Sequence, residues 1–92
     1  MKIDCGVGNF NESDSMVGIG SLIKTRITFN KVFEKTPVVV VSWRDLNVHT
    51  FYDYVYVDNL GVDKQGFNAV AITKNNDALK YSWQFCWIAI GR

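Results

Sequence analysis

Trp83-Gln84-Phe85-Cys86-Trp87-Ile88-Ala89-Ile90 is the stretch that decides the fold. Successive side chains of an extended strand point to opposite faces. Trp83, Phe85, Trp87 and Ala89 therefore share one face, and Gln84, Cys86, Ile88 and Ile90 share the other. The strand, read from Leu79 to Ile90, is apolar on both faces towards its end. A sandwich strand needs one buried face, so the second is expected to meet another subunit. A central strand capped by a loop is the alternative.

Working outward, Pro37 stands at a strand start, where proline is tolerated, and Val38 to Trp43 follows without alternation. Both faces of that strand are expected to be covered. Leu22 to Phe29 alternates, with Ile23, Thr25, Ile27 and Phe29 on one side and Lys24, Arg26 and Thr28 on the other. Tyr52 to Asp58 repeats the period of two, with Val55 and Val57 inward and Tyr54 and Tyr56 on the opposite face. Phe67 to Thr73 is a further strand, bounded by a turn over Leu60–Gly66 and a hairpin tip at Lys74–Asp77. Residues 1–6 make a short first strand. The Gly-, Asn-, Ser- and Asp-rich stretch Val7 to Gly20 reads as a loop, because such side chains bond nearby backbone and tolerate positive φ. No helical period competes over ten residues. The spacing predicts an all-β, antiparallel β-sandwich of about six strands.

The 92 residues make one domain, 1–92. A chain of this size buries only about 60–65% of its unfolded surface, and oligomerisation is a common remedy for so marginal a core. Six Phe, four Tyr and three Trp exceed what a small core needs. Some of them are expected at an interface or ligand site, since Tyr and Trp suit half-wet surfaces. A net charge of +1 with no basic block argues against nucleic acid. The absence of a long apolar stretch argues against membrane insertion. Met1-Lys2-Ile3-Asp4 turns polar at once, so no signal peptide is read. A non-classically exported or cytosolic protein, or a domain of a longer secreted chain, fits that start.

Chemistry-bearing residues are sparse. Cys5 and Cys86 either form a disulfide tying the first strand to the last, or are two free thiols packing as small hydrophobes. His49 stands alone, and no Cys or His spacing suits a metal. The acids are scattered, with no general acid–base pair. No catalytic residue, metal or cofactor is expected, and the chain is not read as an enzyme. Asn11-Glu12-Ser13 has the form of a glycosylation acceptor. His49 to Tyr54 gathers aromatic and polar groups in a loop, and loops carry binding function disproportionately.

Ile3-Asp4-Cys5-Gly6, Ile27-Thr28-Phe29, Pro37–Ser42, Gly66-Phe67 and Trp87-Ile88-Ala89-Ile90-Gly91, in this order and spacing, resemble the H-type lectin domain of snail agglutinins and discoidins. The resemblance spans essentially the whole chain. It implies a six-stranded antiparallel sandwich assembling as a trimer, sometimes stacked into hexamers. It also implies shallow sites for galactose or N-acetylgalactosamine between protomers.

Family sites draw a Gly and an Asp from the first long loop, where Asp14 and Gly18 lie here. A Trp-His pair in the last hairpin falls on Lys74 and Asn75, and a tyrosine of that hairpin falls on Tyr81. The arginine opening the strand after the proline-valine strand falls near Tyr54 or Val55, so it is missing. A half-cystine of the family is replaced by Ala71. The resemblance thus assigns Tyr81, Asn75, Lys74, Tyr54, Asp14 and Gly18 to carbohydrate binding.

Lys74 in place of an apolar wall favours a carboxylate- or sulfate-bearing glycan, because an ammonium attracts anions and removes a stacking surface. Three functions follow. The first is a multivalent lectin acting outside cells or at their surface. The second is an adhesive trimeric module that has lost its sugar site. The third is a protein-binding sandwich using the His49–Tyr54 loop. For the trimer, a charge placed at Trp83, Phe85 or Ile90 is expected to break it.

Overall fold

A computed structural model describes residues 1–10, 22–44, 52–73 and 83–92, leaving aside the side chains of residues 52, 53 and 73. Among the described residues six strands form: β1 (Lys2–Phe10), β2 (Leu22–Thr28), β3 (Val38–Trp43), β4 (Tyr52–Val57), β5 (Gly66–Thr73) and β6 (Trp83–Gly91). A short 3-10 turn at Asn59–Gly61 lies between β4 and β5, and the Asp58 side chain accepts from the Leu60 amide.

The strands divide into two three-stranded sheets, ordered β1-β6-β3 and β2-β5-β4. Every pairing is antiparallel. The all-β sandwich expected from the alternation is therefore present. β6 is the middle strand of its sheet, which accounts for its apolar density.

The register places the strand ends. Lys2 faces Gly91 and Val38 faces Ile90 at one end, whereas Phe10 faces Trp83 and Trp43 faces Phe85 at the other. In the second sheet Leu22 lies opposite Ile72 and Tyr52 opposite Thr73. The strand ends flanking 11–21, 45–51 and 74–82 thus all sit at one end. The strand ends flanking 29–37 and 58–65, together with both described termini, sit at the opposite end.

Two expectations about the strands change. β1 runs on to Phe10, although Val7-Gly8-Asn9 reads as a turn. The glycine serves packing there: a Cβ on Gly8 would collide with the Phe85 ring and Ile27 Cδ1. Gly66 is needed for a similar reason, since its Cβ would overlap the Ile27 carbonyl oxygen of the neighbouring strand. The valine run, for its part, does alternate. Val39 and Val41 pack against the core, while Val38 and Val40 remain 70% and 57% exposed. Uniform valine hides the alternation because one residue type occupies both faces.

Between the sheets, Phe10, Phe29, Phe33, Phe67, Phe85 and Trp87 interlock with Ile23, Ala69, Ala71 and Ala89. Phe67 and Trp87 meet edge to face at 5.6 Å, and Phe10 and Phe85 lie 4.9 Å apart. Small alanines at inward positions of β5 and β6 leave room for these rings, as close packing requires. Trp83 and Phe85 belong to this inward set. The expectation that charge at either would break an oligomer is corrected accordingly: such changes strike the core, and of the three residues named only Ile90 faces outward.

The end opposite the three long connections is tied by polar contacts. Asp4, only 6% exposed, accepts from the Asn30 amide at 2.6 Å, Asn30 Nδ2 at 3.1 Å, the Lys31 amide at 3.2 Å and the Cys5 amide at 3.0 Å. Burial works against its charge, but the hydrogen bonds from Asn30, Lys31 and Cys5 prevail and hold the carboxyl below its ordinary value. Arg26 donates to the Gly61 carbonyl at 2.6 Å and to Asp63 Oδ2 at 2.8 Å, fixing the β4–β5 connection on β2.

Candidate functional site

Of the six residues assigned to carbohydrate binding, Tyr54 lies on β4 and is 53% exposed. Tyr81, Asn75, Lys74, Asp14 and Gly18 lie outside the described residues, as do His49 and the Asn11-Glu12-Ser13 sequence. The strand ends flanking all of these positions share one end of the sandwich. Tyr52, Asp53 and Tyr54 belong to a strand, which shortens the loop expected from His49 to Tyr54.

β4 and β5 do not run in simple register beside Tyr54. Tyr52 pairs with Thr73 and Val55 with Ala71, so β4 carries one extra residue across a bulge. Bulges bend a strand and re-aim its side chains, and they recur next to functional sites. Beyond the bulge Tyr56 lies beside Tyr54, with ring centroids 5.7 Å apart and planes tilted by 41°. Tyr56 is absent from the sequence assignment. The signal that finds it is the alternation of β4, which puts two tyrosines on the solvent side.

At the same end of the other sheet, Arg44 donates from Nη1 to Gln84 Oε1 at 3.0 Å, and its amide donates to the Gln84 carbonyl at 3.0 Å. The sequence reading left Arg44 in an undifferentiated polar connection. Its guanidinium is the basic group that the described residues bring to this end of β3 and β6. Among the described residues no three His, Cys, Asp or Glu side chains gather where they could hold a metal ion.

The outer face of β1-β6-β3 is a different kind of surface. Across it run the rows Ile3–Ile90–Val38, Cys5–Ile88–Val40 and Val7–Cys86–Ser42. No charged side chain interrupts these rows, and all their members except Ser42 are apolar or thiol. A shallow depression of about 170 Å³ between β3 and β6 is lined by Val40, Val41, Ser42, Cys86, Trp87 and Ile88. Cys5 and Cys86 are free and exposed on this face. Register explains why they are not joined: Cys5 stands opposite Ile88 and Cys86 opposite Val7, so the two thiols are diagonal neighbours. Diagonal residues lie farther apart than a disulfide spans.

With this geometry in place, comparison with known proteins becomes informative. The model of the H-type lectin domain matches residues 24–90. The chain belongs to the H-type lectin domain family.

This lectin domain has the fold of discoidin II from Dictyostelium discoideum. One structure of recombinant discoidin II aligns at 21% identity over 96% of the chain, with a TM-score of 0.70. Wild-type discoidin II aligns at 18% identity over 98%, with a TM-score of 0.73. In both cases the chain spans 36% of the discoidin. The tailspike protein gp49 of Pseudomonas phage LKA1 aligns at 16% identity over 97% of this chain and 15% of its own, with a TM-score of 0.65. At these identities the likeness is one of fold. No curated protein matches the sequence significantly. Among the described residues no helix is long and apolar enough to cross a membrane.

Proposed function

We propose that this H-type lectin domain, one folding unit over residues 1–92, is a non-enzymatic carbohydrate-binding module. It takes galactose- or N-acetylgalactosamine-type glycans and is multivalent through a homotrimer. The observation that carries the reading is the uncharged outer face of β1-β6-β3, set beside the family match. Interface cores are depleted of charge, and a chain this small gains stability by burying such a face against copies of itself. Trimers stacked in pairs would give hexamers.

Sugar sites fall between protomers at the end where 11–21, 45–51 and 74–82 depart from the strands. There Tyr81, Asn75, Lys74, Tyr54, Asp14 and Gly18 bind the glycan, and Lys74 favours anionic ones. Weak single sites then gain 100-fold or more in avidity when several engage one surface, an order of magnitude set by effective concentration. The module acts outside cells or at their surface, in adhesion or agglutination.

The test is a glycan array on protein whose mass in solution is known. A trimer whose hits vanish in Tyr81→Ala and Asn75→Ala supports the lectin. A second reading has its own observation: an exposed tyrosine, Tyr54, stands near where the family's arginine is expected. On that reading the trimer is an adhesive assembly without a sugar site. A trimer silent across neutral and anionic glycans, and indifferent to change at Tyr81, selects it.

A further inference from the structure

The outer face of β2-β5-β4 holds a feature of which the assigned site uses only Tyr54. Tyr54 and Tyr56 project from β4 on the same side, 53% and 36% exposed, with ring centroids 5.7 Å apart. Large aromatic rings left in water at this spacing make a continuous apolar surface. Opposite Tyr56 on β5 is Val70, with Lys24 beyond it on β2. Val70 alternates with the inward Ala69 and Ala71 and so faces outward, yet it is only 2% exposed. The surface beside the rings therefore has a packed floor.

At its far margin Lys24 Nζ stands 3.8 Å from Asp58 Oδ2. Asp58 Oδ1 accepts from the Leu60 amide at 3.1 Å, so the carboxylate has a fixed orientation. An ammonium and an oriented carboxylate offer a donor and an acceptor beside the apolar strip. The bulge between Tyr52 and Val55 re-aims β4 where Tyr54 projects. Two neighbouring aromatic faces, tilted by 41°, with a polar margin suit a ligand whose successive rings each have one C–H-rich face and hydroxyls around the rim.

The geometry points to a second carbohydrate subsite, a platform of Tyr54 and Tyr56 rimmed by Lys24 and Asp58. It runs down β4 from the end where the sugar loops depart. It stacks consecutive pyranose rings of an extended glycan, whose terminal residue occupies the site between protomers. The inference rests on the carbohydrate-binding reading. It adds the expectation that chain length beyond the terminal sugar is sensed through Tyr56.

The experiment uses a printed array of neutral and anionic glycans of graded length. The proteins are the wild type, Tyr54→Ala, Tyr56→Ala and Tyr56→Phe, each checked for unfolding temperature and mass in solution. Stacking energies convert to a rise of about tenfold in half-saturating concentration for each alanine variant on the longer glycans. Tyr56→Phe keeps the ring and stays near the wild type. In Tyr56→Ala the advantage of longer over monosaccharide probes disappears.

Wild-type binding with Tyr56→Ala unchanged on the longer glycans overturns the platform and leaves the lectin reading standing. A wild type silent on every glycan overturns that reading, and the platform falls with it. A change of mass in Tyr54→Ala or Tyr56→Ala makes this face a subunit contact and also overturns the platform. Should a variant lose stability, ring-proton shifts of Tyr54 and Tyr56 in wild-type protein titrated with the longest bound glycan give the answer directly. Unperturbed rings refute the subsite.

Discussion

The two outer faces of the sandwich are built on similar three-stranded frames but carry different chemistry. The face of β1-β6-β3 presents Ile3, Cys5, Val7, Val38, Val40, Ile88 and Ile90 without an intervening charge. The face of β2-β5-β4 mixes Leu22, Tyr54 and Tyr56 with the Lys24–Asp58 and Arg26–Asp63 pairs. Water tolerates the second arrangement, because ionic groups break the apolar strip and stay solvated. The first resembles half of a core. The difference separates two proposed uses of one fold: the uncharged sheet for packing against copies of the chain, and the mixed sheet for meeting ligands from water.

The largest effect should come from charging the apolar face. Ile88→Asp at its centre is expected to abolish the proposed trimer, at a cost of about 3–5 kcal/mol for an unpaired buried charge. Light scattering should then give one third of the wild-type mass. Cys5 and Cys86 extend this test without mutation. Iodoacetamide should modify both slowly in the trimer and rapidly in the Ile88→Asp monomer, as mass spectrometry against time would show. Equal rates in the two proteins would place the interface elsewhere.

A somewhat smaller effect is expected at Asp4, which pins β1, the edge strand of the apolar face, to residues 30 and 31. Asp4→Ala leaves amides of Asn30, Lys31 and Cys5 without their acceptor. It should cost about 2–3 kcal/mol in chemical denaturation. The same contact confers acid sensitivity. Its stabilisation is complete above the pKa of an unfolded aspartate, about 4, and is lost as pH falls through the lower folded value. The domain should therefore lose stability in acid with Asp4 present, and Asp4→Asn should flatten that dependence in a pH series of unfolding curves.

The smallest effect belongs to the ionic face. Arg26→Ala removes an exposed pair with Asp63 and should shift stability by no more than about 1 kcal/mol. The trimer should be intact by light scattering. A loss as large as that of Ile88→Asp would erase the contrast between the faces.

How much of this was legible in the sequence follows from the range of the interactions involved. Alternation in β2 and β4 placed Ile23, Ile27, Val55 and Val57 inward, because strand facing is a property of neighbours along the chain. That Trp83, Phe85, Trp87 and Ala89 share one face of β6 was equally plain, but not which face is inward. Assigning Trp83 and Phe85 to a subunit contact failed because two apolar faces of one strand look alike until the second sheet shows which is covered. β1 was cut short since Gly8 reads as a turn residue. Its real reason, the ring of Phe85, lies far along the chain. The hydrogen bonds of Asp4 to residues 30 and 31 left no local mark. At the candidate site, the exposed Tyr54–Tyr56 pair was visible as pattern, whereas the bulge beside it arises from pairing with β5 and has no signature within β4 alone.

The placement of the strand ends has a practical corollary. Lys2 and Gly91 are register partners, so a tag, tether or neighbouring module joined at either terminus attaches at the same pole. The three long connections depart from the other. A domain wired in this way can be grafted onto a bead, a fibre or another polypeptide with both leads behind it, and it will display the pole of the proposed site outward whichever lead is used.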